Sequence, residues 1–177
     1  SIVASDLDTN VLATASSAVY PGDRVDKISP ERISRFFTKG TGAQNGMFVA
    51  SLCLCEAGDE VLVPEPLYLT YEATIRASGA TLVPLPVHPD DGFRIDIQAL
   101  REAITPRTRA IFFATPCNPT GVAMRRHELQ AIADLAIAHD LWVVADEVYG
   151  ALTFEAEHIS IAGLAGMAER TVTVSSL

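Results

Sequence analysis

Apolar and polar positions alternate in blocks along most of this chain, and the blocks have two periods. From residue 40 onward, short continuous apolar runs are separated by stretches with helical spacing. The runs at 60–64, 81–87, 109–114, 141–145 and 171–174 are strand-length and rich in Val, Leu, Ile and Phe. Between them, 43–55, 69–78, 97–104 and 125–139 read as helices. The last carries Leu129, Ile132, Ala133, Leu135, Ala136 and Ile137 on a helical repeat. Asp96 stands where an N-cap belongs, and Gly79 where the second helix closes. Continuous apolar strands alternating with helices predict an α/β fold: a largely parallel sheet sandwiched by helices. The first forty residues are less regular. An Ala/Ser/Thr-rich stretch at 10–19 reads as helical, Tyr20-Pro21-Gly22-Asp23-Arg24 as a turn, and 29–32 as a helical start.

Composition narrows the function. A chain of 177 residues, 49% hydrophobic and 20% charged, is long enough for one core of ordinary globular type. Its formal net charge of -9 argues against a nucleic-acid or polybasic membrane surface. No apolar run approaches a membrane span, and no basic-then-apolar leader opens the chain. Cys53, Cys55 and Cys117 have no metal-ligand spacing and the histidines are scattered, which predicts reduced thiols in a cytoplasmic protein and no metal site.

Parallel sheets bind ligands beyond the carboxyl ends of their strands, so the polar clusters there are the candidates. Thr41-Gly42-Ala43-Gln44 opens a helix from a small-residue loop; free N–H groups and the helix dipole make this an anion site or, more simply, a tight turn. Tyr68 follows the strand at 60–64, where its ring either stacks on a flat ligand or only packs. Asn118 lies in Thr115-Pro116-Cys117-Asn118-Pro119-Thr120-Gly121, which is strong turn chemistry and can also aim an amide at a ligand oxygen. Asp146 ends a buried apolar strand in Ala145-Asp146-Glu147-Val148-Tyr149. A carboxylate there needs a partner: a salt bridge, a helix cap, or a protonated ring nitrogen. Ser175 and Ser176 close the last strand, as a cap or a phosphate contact.

Taken singly these signals are weak; in this order they resemble one family. From Thr38 to Leu177 the chain is similar to the class I/II aminotransferases, which are fold-type I enzymes of the aspartate aminotransferase-like kind using pyridoxal 5′-phosphate. The phrases beginning at Glu65, His139 and Gly166 resemble bacterial arginine–pyruvate transaminases in particular. The resemblance implies a role for each matching position. The backbone of Gly42, Ala43 and Gln44 would hold the cofactor phosphate, with Ser176 beside it. Tyr68 would stack on the pyridine ring, Asn118 and Tyr149 would bond its phenolic oxygen, and Asp146 would pair with the pyridinium nitrogen. Tyr20 would reach the phosphate of a neighbouring subunit, which implies a homodimer, and Asp6-Leu7-Asp8-Thr9 is similar to the family's Asp-Phe-Asp-Thr.

The resemblance also implies the reaction: an amino group passes from an amino acid to a 2-oxo acid, with a lysine as proton carrier. That lysine would fall about two residues beyond Leu177; Lys27 and Lys39 are the lysines present, and neither matches it. On this reading residues 1–37 are an incomplete N-terminal segment, shortened between Tyr20 and Ile33. Residues 38–177 are the cofactor-binding domain, cut before the lysine, and the small C-terminal domain is absent. Relatives of the same fold give two alternatives: a pyridoxal-phosphate lyase, and a non-catalytic sensor domain of the MocR type.

Overall fold

The protein is described by a computed structural model, which places residues 3–6, 43–154 and 157–176. The expected helix at 10–19, the turn containing Tyr20, and the loop ending at Gly42 lie outside the described residues.

Six strands form one parallel sheet: β1 (Val3–Asp6), β2 (Glu60–Glu65), β3 (Thr81–Pro86), β4 (Thr108–Ala114), β5 (Trp142–Asp146) and β6 (Thr171–Ser176). Their spatial order is β1-β6-β5-β4-β2-β3, every neighbour parallel. The helices are α1 (Ala43–Leu54), α2 (Tyr71–Arg76), α3 (Ile97–Ala103) and α4 (Arg126–Ala138).

The middle of the central strands is apolar because both faces are covered. Phe112 and Val144 point into a core shared with Met47 and Ala50 of α1 and Ile75 of α2. Phe113, Val143 and Ala145 point the opposite way, onto Leu100 of α3 and Leu129, Ile132 and Ala136 of α4. Successive side chains of a strand alternate faces, so the run from Ala110 to Phe113 in β4 feeds two cores. The edge strand β3 is different: it carries Pro84 and Pro86, which lack the N–H that a central strand needs, and most of it is partly or fully exposed.

Helix boundaries follow local chemistry. Asp96 caps α3 as expected, its Oδ1 accepting from the N–H groups of Gln98 (2.8 Å) and Ala99 (3.2 Å). Helix α2 is shorter than the 69–78 expected. The segment ahead of it turns, with Tyr71 N–H donating to Tyr68 C=O (3.0 Å), and leaves Leu69 87% exposed. At its far end the Ser78 hydroxyl takes the Ile75 carbonyl at 2.7 Å, and Gly79 follows with φ +88°. Strand β1 is an addition to the sequence reading, which assigned no strand there; it pairs with β6 from Val3 opposite Thr173 to Asp6 opposite Ser176.

Register is anchored at the amino end as well. Glu60, nearly buried at the start of β2, accepts from the Thr105 hydroxyl (2.5 Å) and from Arg107 Nε (2.9 Å). These bonds, the Thr105 one foremost, hold its carboxyl below the ordinary carboxylate range. A carboxyl depressed on folding adds stability above its unfolded value and loses it as pH falls through the folded one. Glu60→Gln should therefore lower the urea midpoint at neutral pH. The gap between variant and wild type should narrow as pH drops below about 4.5, the group's ordinary value. Parallel urea titrations at pH 7 and pH 3 check this; a gap that widens in acid contradicts it.

Candidate active site

All strands being parallel, their carboxyl ends share one edge of the sheet, and the polar clusters gather there. Ala114 of β4 lies opposite Asp146 of β5, which in turn lies opposite Val174 of β6. Just past the strands, Thr115 N–H donates to Asp146 C=O (2.9 Å) and Glu147 N–H to Val174 C=O (2.7 Å). Beside them opens a cavity of about 300 Å³ lined by Ala43, Gln44, Tyr68, Tyr71, Asn118, Asp146 and Tyr149, among others. Six of the expected site residues thus meet in one place: Ala43, Gln44, Tyr68, Asn118, Asp146 and Tyr149. Gly42 and Tyr20 lie outside the described residues. Ser176 is placed by its backbone at the end of β6, at the same edge of the sheet, and its side chain is outside the description.

Asp146 is the fixed point. The Tyr71 hydroxyl donates to its Oδ2 at 2.6 Å, and the Val148 N–H reaches its Oδ1 at 3.2 Å. The strand carries the carboxylate out of the core, and these two donors set its orientation. Tyr71 is 3% exposed. Burial first, then the charge and hydrogen bond of Asp146, push its phenol far above the ordinary tyrosine value, so it stays a neutral donor. Sequence reasoning missed Tyr71. It sits at an apolar position of α2 and packs like one; the available signal was that a buried tyrosine hydroxyl needs an acceptor and Asp146 needs a donor.

Tyr68 forms a wall of the cavity. Its ring meets that of Tyr71 edge-on, centroids 6.0 Å apart at 77°, and its hydroxyl accepts from Gln44 Nε2 at 2.9 Å. This links the first turn of α1 to the segment between β2 and α2. Among the described residues the α1 N-terminus has no acidic side chain in its first turn, so nothing there competes for an anion.

Asn118 is held by its turn. Cys117 N–H donates to Val122 C=O (2.9 Å), Gly121 N–H returns to Cys117 C=O (2.7 Å), and Gly121 adopts φ +73°, a conformation that favours glycine. The Thr115 hydroxyl accepts from Met124 N–H at 2.9 Å and closes the loop from below. The turn reading of this segment is borne out, and the turn sets Asn118 at the cavity. Among the described residues neither the Asn118 amide nor the Tyr149 hydroxyl has a hydrogen-bond partner, and both line the cavity.

Among the described residues the site therefore has an aromatic wall, a carboxylate that accepts from Tyr71 and Val148, an amide and a phenol without a hydrogen-bond partner, and the first turn of α1. Among the described residues no group of His, Cys, Asp and Glu could hold a metal, and no helix is long and apolar enough to cross a membrane.

Known proteins share this arrangement of chain. Residues 24–177 match the family described as aminotransferase class I and II. Arginine–pyruvate transaminase of Pseudomonas aeruginosa is 48% identical over 136 residues, which are 77% of this chain and 35% of that protein. The structure of N-succinyldiaminopimelate aminotransferase from Mycobacterium tuberculosis superposes with a TM-score of 0.74 at 47% identity, over 76% of this chain and 36% of that one. Aspartate aminotransferase from Thermus thermophilus gives 0.72 at 37% identity, over 76% and 35%. The chain spans about a third of the length of these relatives. With the family matched over most of the sequence and the same fold in solved members, this chain belongs to the class I and II aminotransferases.

Proposed function

We propose that the protein is a pyridoxal 5′-phosphate-dependent aminotransferase that moves an amino group from an amino acid to a 2-oxo acid. The observation that carries this is the Asp146 carboxylate, held by Tyr71 and Val148 at an aromatic-walled cavity where, among the described residues, Asn118 and Tyr149 have unspent polar groups. The donor set fits the cofactor's chemistry: a flat heteroaromatic ring with a basic nitrogen, an oxygen anion and a phosphate.

When bound, the cofactor supplies an electron sink for the pair left by breaking the substrate's α C–H bond. The chain's own residues make that sink effective. Asp146 holds a proton on the ring nitrogen by charge, and Tyr71 keeps the carboxylate aimed. Asn118 and Tyr149 donate to the phenolic oxygen. Tyr68 stacks on the ring, its outer end tied down by Gln44. As in the family it resembles, the N–H groups of Gly42, Ala43 and Gln44 would take the phosphate with Ser176, and Tyr20 would reach the phosphate of a second copy in a homodimer. Reduced thiols at Cys53, Cys55 and Cys117 support a cytoplasmic setting. Matches to enzymes of arginine, N-succinyldiaminopimelate and aspartate support amino acid plus 2-oxo acid as the substrate class.

The direct test gives the whole protein pyridoxal phosphate, an amino acid panel beginning with arginine, and pyruvate. A visible cofactor band and amino acid-dependent alanine formation are expected; a protein that takes up no cofactor rejects the reading. Asp146→Asn should cut kcat/KM by about 100-fold or more, because it removes charge stabilisation where charge develops. Cofactor affinity, held mainly through the phosphate, should change far less. Near-normal turnover in that variant would end the role given to Asp146. Tyr71→Phe should cost about tenfold in kcat/KM, the worth of one hydrogen bond to a charged group, with the fold intact by circular dichroism. Sedimentation of the whole protein should show a dimer; a monomer at micromolar concentration counts against the role of Tyr20.

A further inference from the structure

Glu147 directly follows Asp146 but does not line the cavity. It is 8% exposed, and its Oε2 lies 3.0 Å from Nε2 of His158, a side chain only 18% exposed. Its other oxygen, Oε1, is fully buried and has no hydrogen-bond partner among the described residues. An ionised carboxylate only accepts, so the shared hydrogen sits on Nε2. A buried carboxylate with one oxygen bare is costly, and His158 supplies the hydrogen bond that offsets it.

The pair bears on the site through the turn between its members. Gly150 N–H donates to Glu147 C=O (2.8 Å), and Leu152 N–H to Tyr149 C=O (2.8 Å), which wraps the backbone once around Tyr149. The His158 ring lies flush against this turn: a Cβ on Gly150 would come 3.0 Å from Cδ2 and 3.2 Å from Nε2. A side chain at position 150 would thus press on the ring, which would have to give by a few tenths of an ångström, in a glycine with no left-handed φ to explain it. The turn that presents Tyr149 is pinned at Glu147 by a hydrogen bond and at Gly150 by contact, both from His158.

We infer that His158 is a positioning residue: through Glu147 and Gly150 it sets the turn that delivers the Tyr149 hydroxyl to the cavity. This rests on the role proposed for Tyr149 above. Without the imidazole the bare Glu147 carboxylate draws the turn outward toward water, and Tyr149, two residues on, moves with it.

The test measures the pH midpoint at which the bound pyridoxal phosphate changes its absorption, in the whole protein carrying the cofactor. Tyr149→Phe removes a donor to the ring oxygen and should move the midpoint by about three- to tenfold in proton concentration, the worth of one hydrogen bond. His158→Phe keeps an aromatic ring beside Gly150 but cannot donate to Glu147. It should move the midpoint in the same direction, and the double variant should move it no further than Tyr149→Phe alone. His158→Gln, which can still donate to Glu147, should restore most of the wild-type midpoint. Gly150→Ala, which pushes the turn off the ring, should shift it like His158→Phe, and it reads the same contact if His158→Phe does not fold. If Tyr149→Phe moves the midpoint while His158→Phe and Gly150→Ala leave it in place, or if the shifts simply add, the positioning role is overturned and the role of Tyr149 survives. If Tyr149→Phe itself moves nothing, the reading of Tyr149 falls and takes this inference with it.

Discussion

The structure depends on the burial of β4, β5 and β6 on both faces. A strand covered on both sides carries few charged side chains along its middle, since such a group would sit away from water on either face. Val143, Val144 and Ala145 are fully buried, and the next residue is Asp146. The change from apolar to charged in a single step is the sheet ending. Because all the strands run the same way, every such step falls on the same edge. The site is assembled by the sheet's own geometry, from side chains far apart in sequence, before any loop is considered.

At that edge the carboxylate of Asp146 and the phenol of Tyr71 solve each other's problem. A phenol 3% exposed requires an acceptor, and a carboxylate leaving a hydrophobic core requires donors. Their bond of 2.6 Å joins α2 to β5 across the core that α1 also covers. Tyr71 then meets Tyr68 edge-on, and Tyr68 meets Gln44 through its hydroxyl, so one chain of contacts runs from the strand end to the start of α1. The cavity wall is therefore made by side chains that are held by the core itself. Such support fixes a ligand-facing group more tightly than a loop could.

Much of this was legible in the sequence, and what was not has physical reasons. The five strands from residue 60 onward showed as short, mostly apolar runs, continuous in β4 and β5 where both faces are buried, and α3 showed because Asp96 caps in the standard way. Asn118 and Asp146 stood out as polar groups at the ends of such runs. Helix α2 was read too long because Leu69 is apolar yet exposed, so the period misled. Strand β1 was missed because four residues at an edge carry too little pattern. Tyr71 and His158 were missed for a common reason. Each meets a residue outside its own element, Asp146 75 positions on and Glu147 11 positions back, and nothing local marks a tyrosine or histidine as another residue's partner.

Asp146 and Glu147 are both carboxylates, and either could serve the chemistry proposed for the first. What distinguishes them is register. Side chains alternate across a strand, so a slip of one residue between β5 and its neighbours would exchange the two, sending Glu147 toward the cavity and Asp146 to the far side. The bonds from Thr115 N–H to Asp146 C=O and from Glu147 N–H to Val174 C=O fix the pairing on both sides at this point. Each carboxylate also has a partner that the other could not use: Tyr71 lies on the α1 and α2 face, and His158 lies against Gly150 on the turn beyond. A slipped strand would leave both partners unmatched and would bury a second carboxylate without its donor. The pairing that makes a site possible is thus also the one that leaves the fewest buried charges uncompensated, and folding and function select the same register.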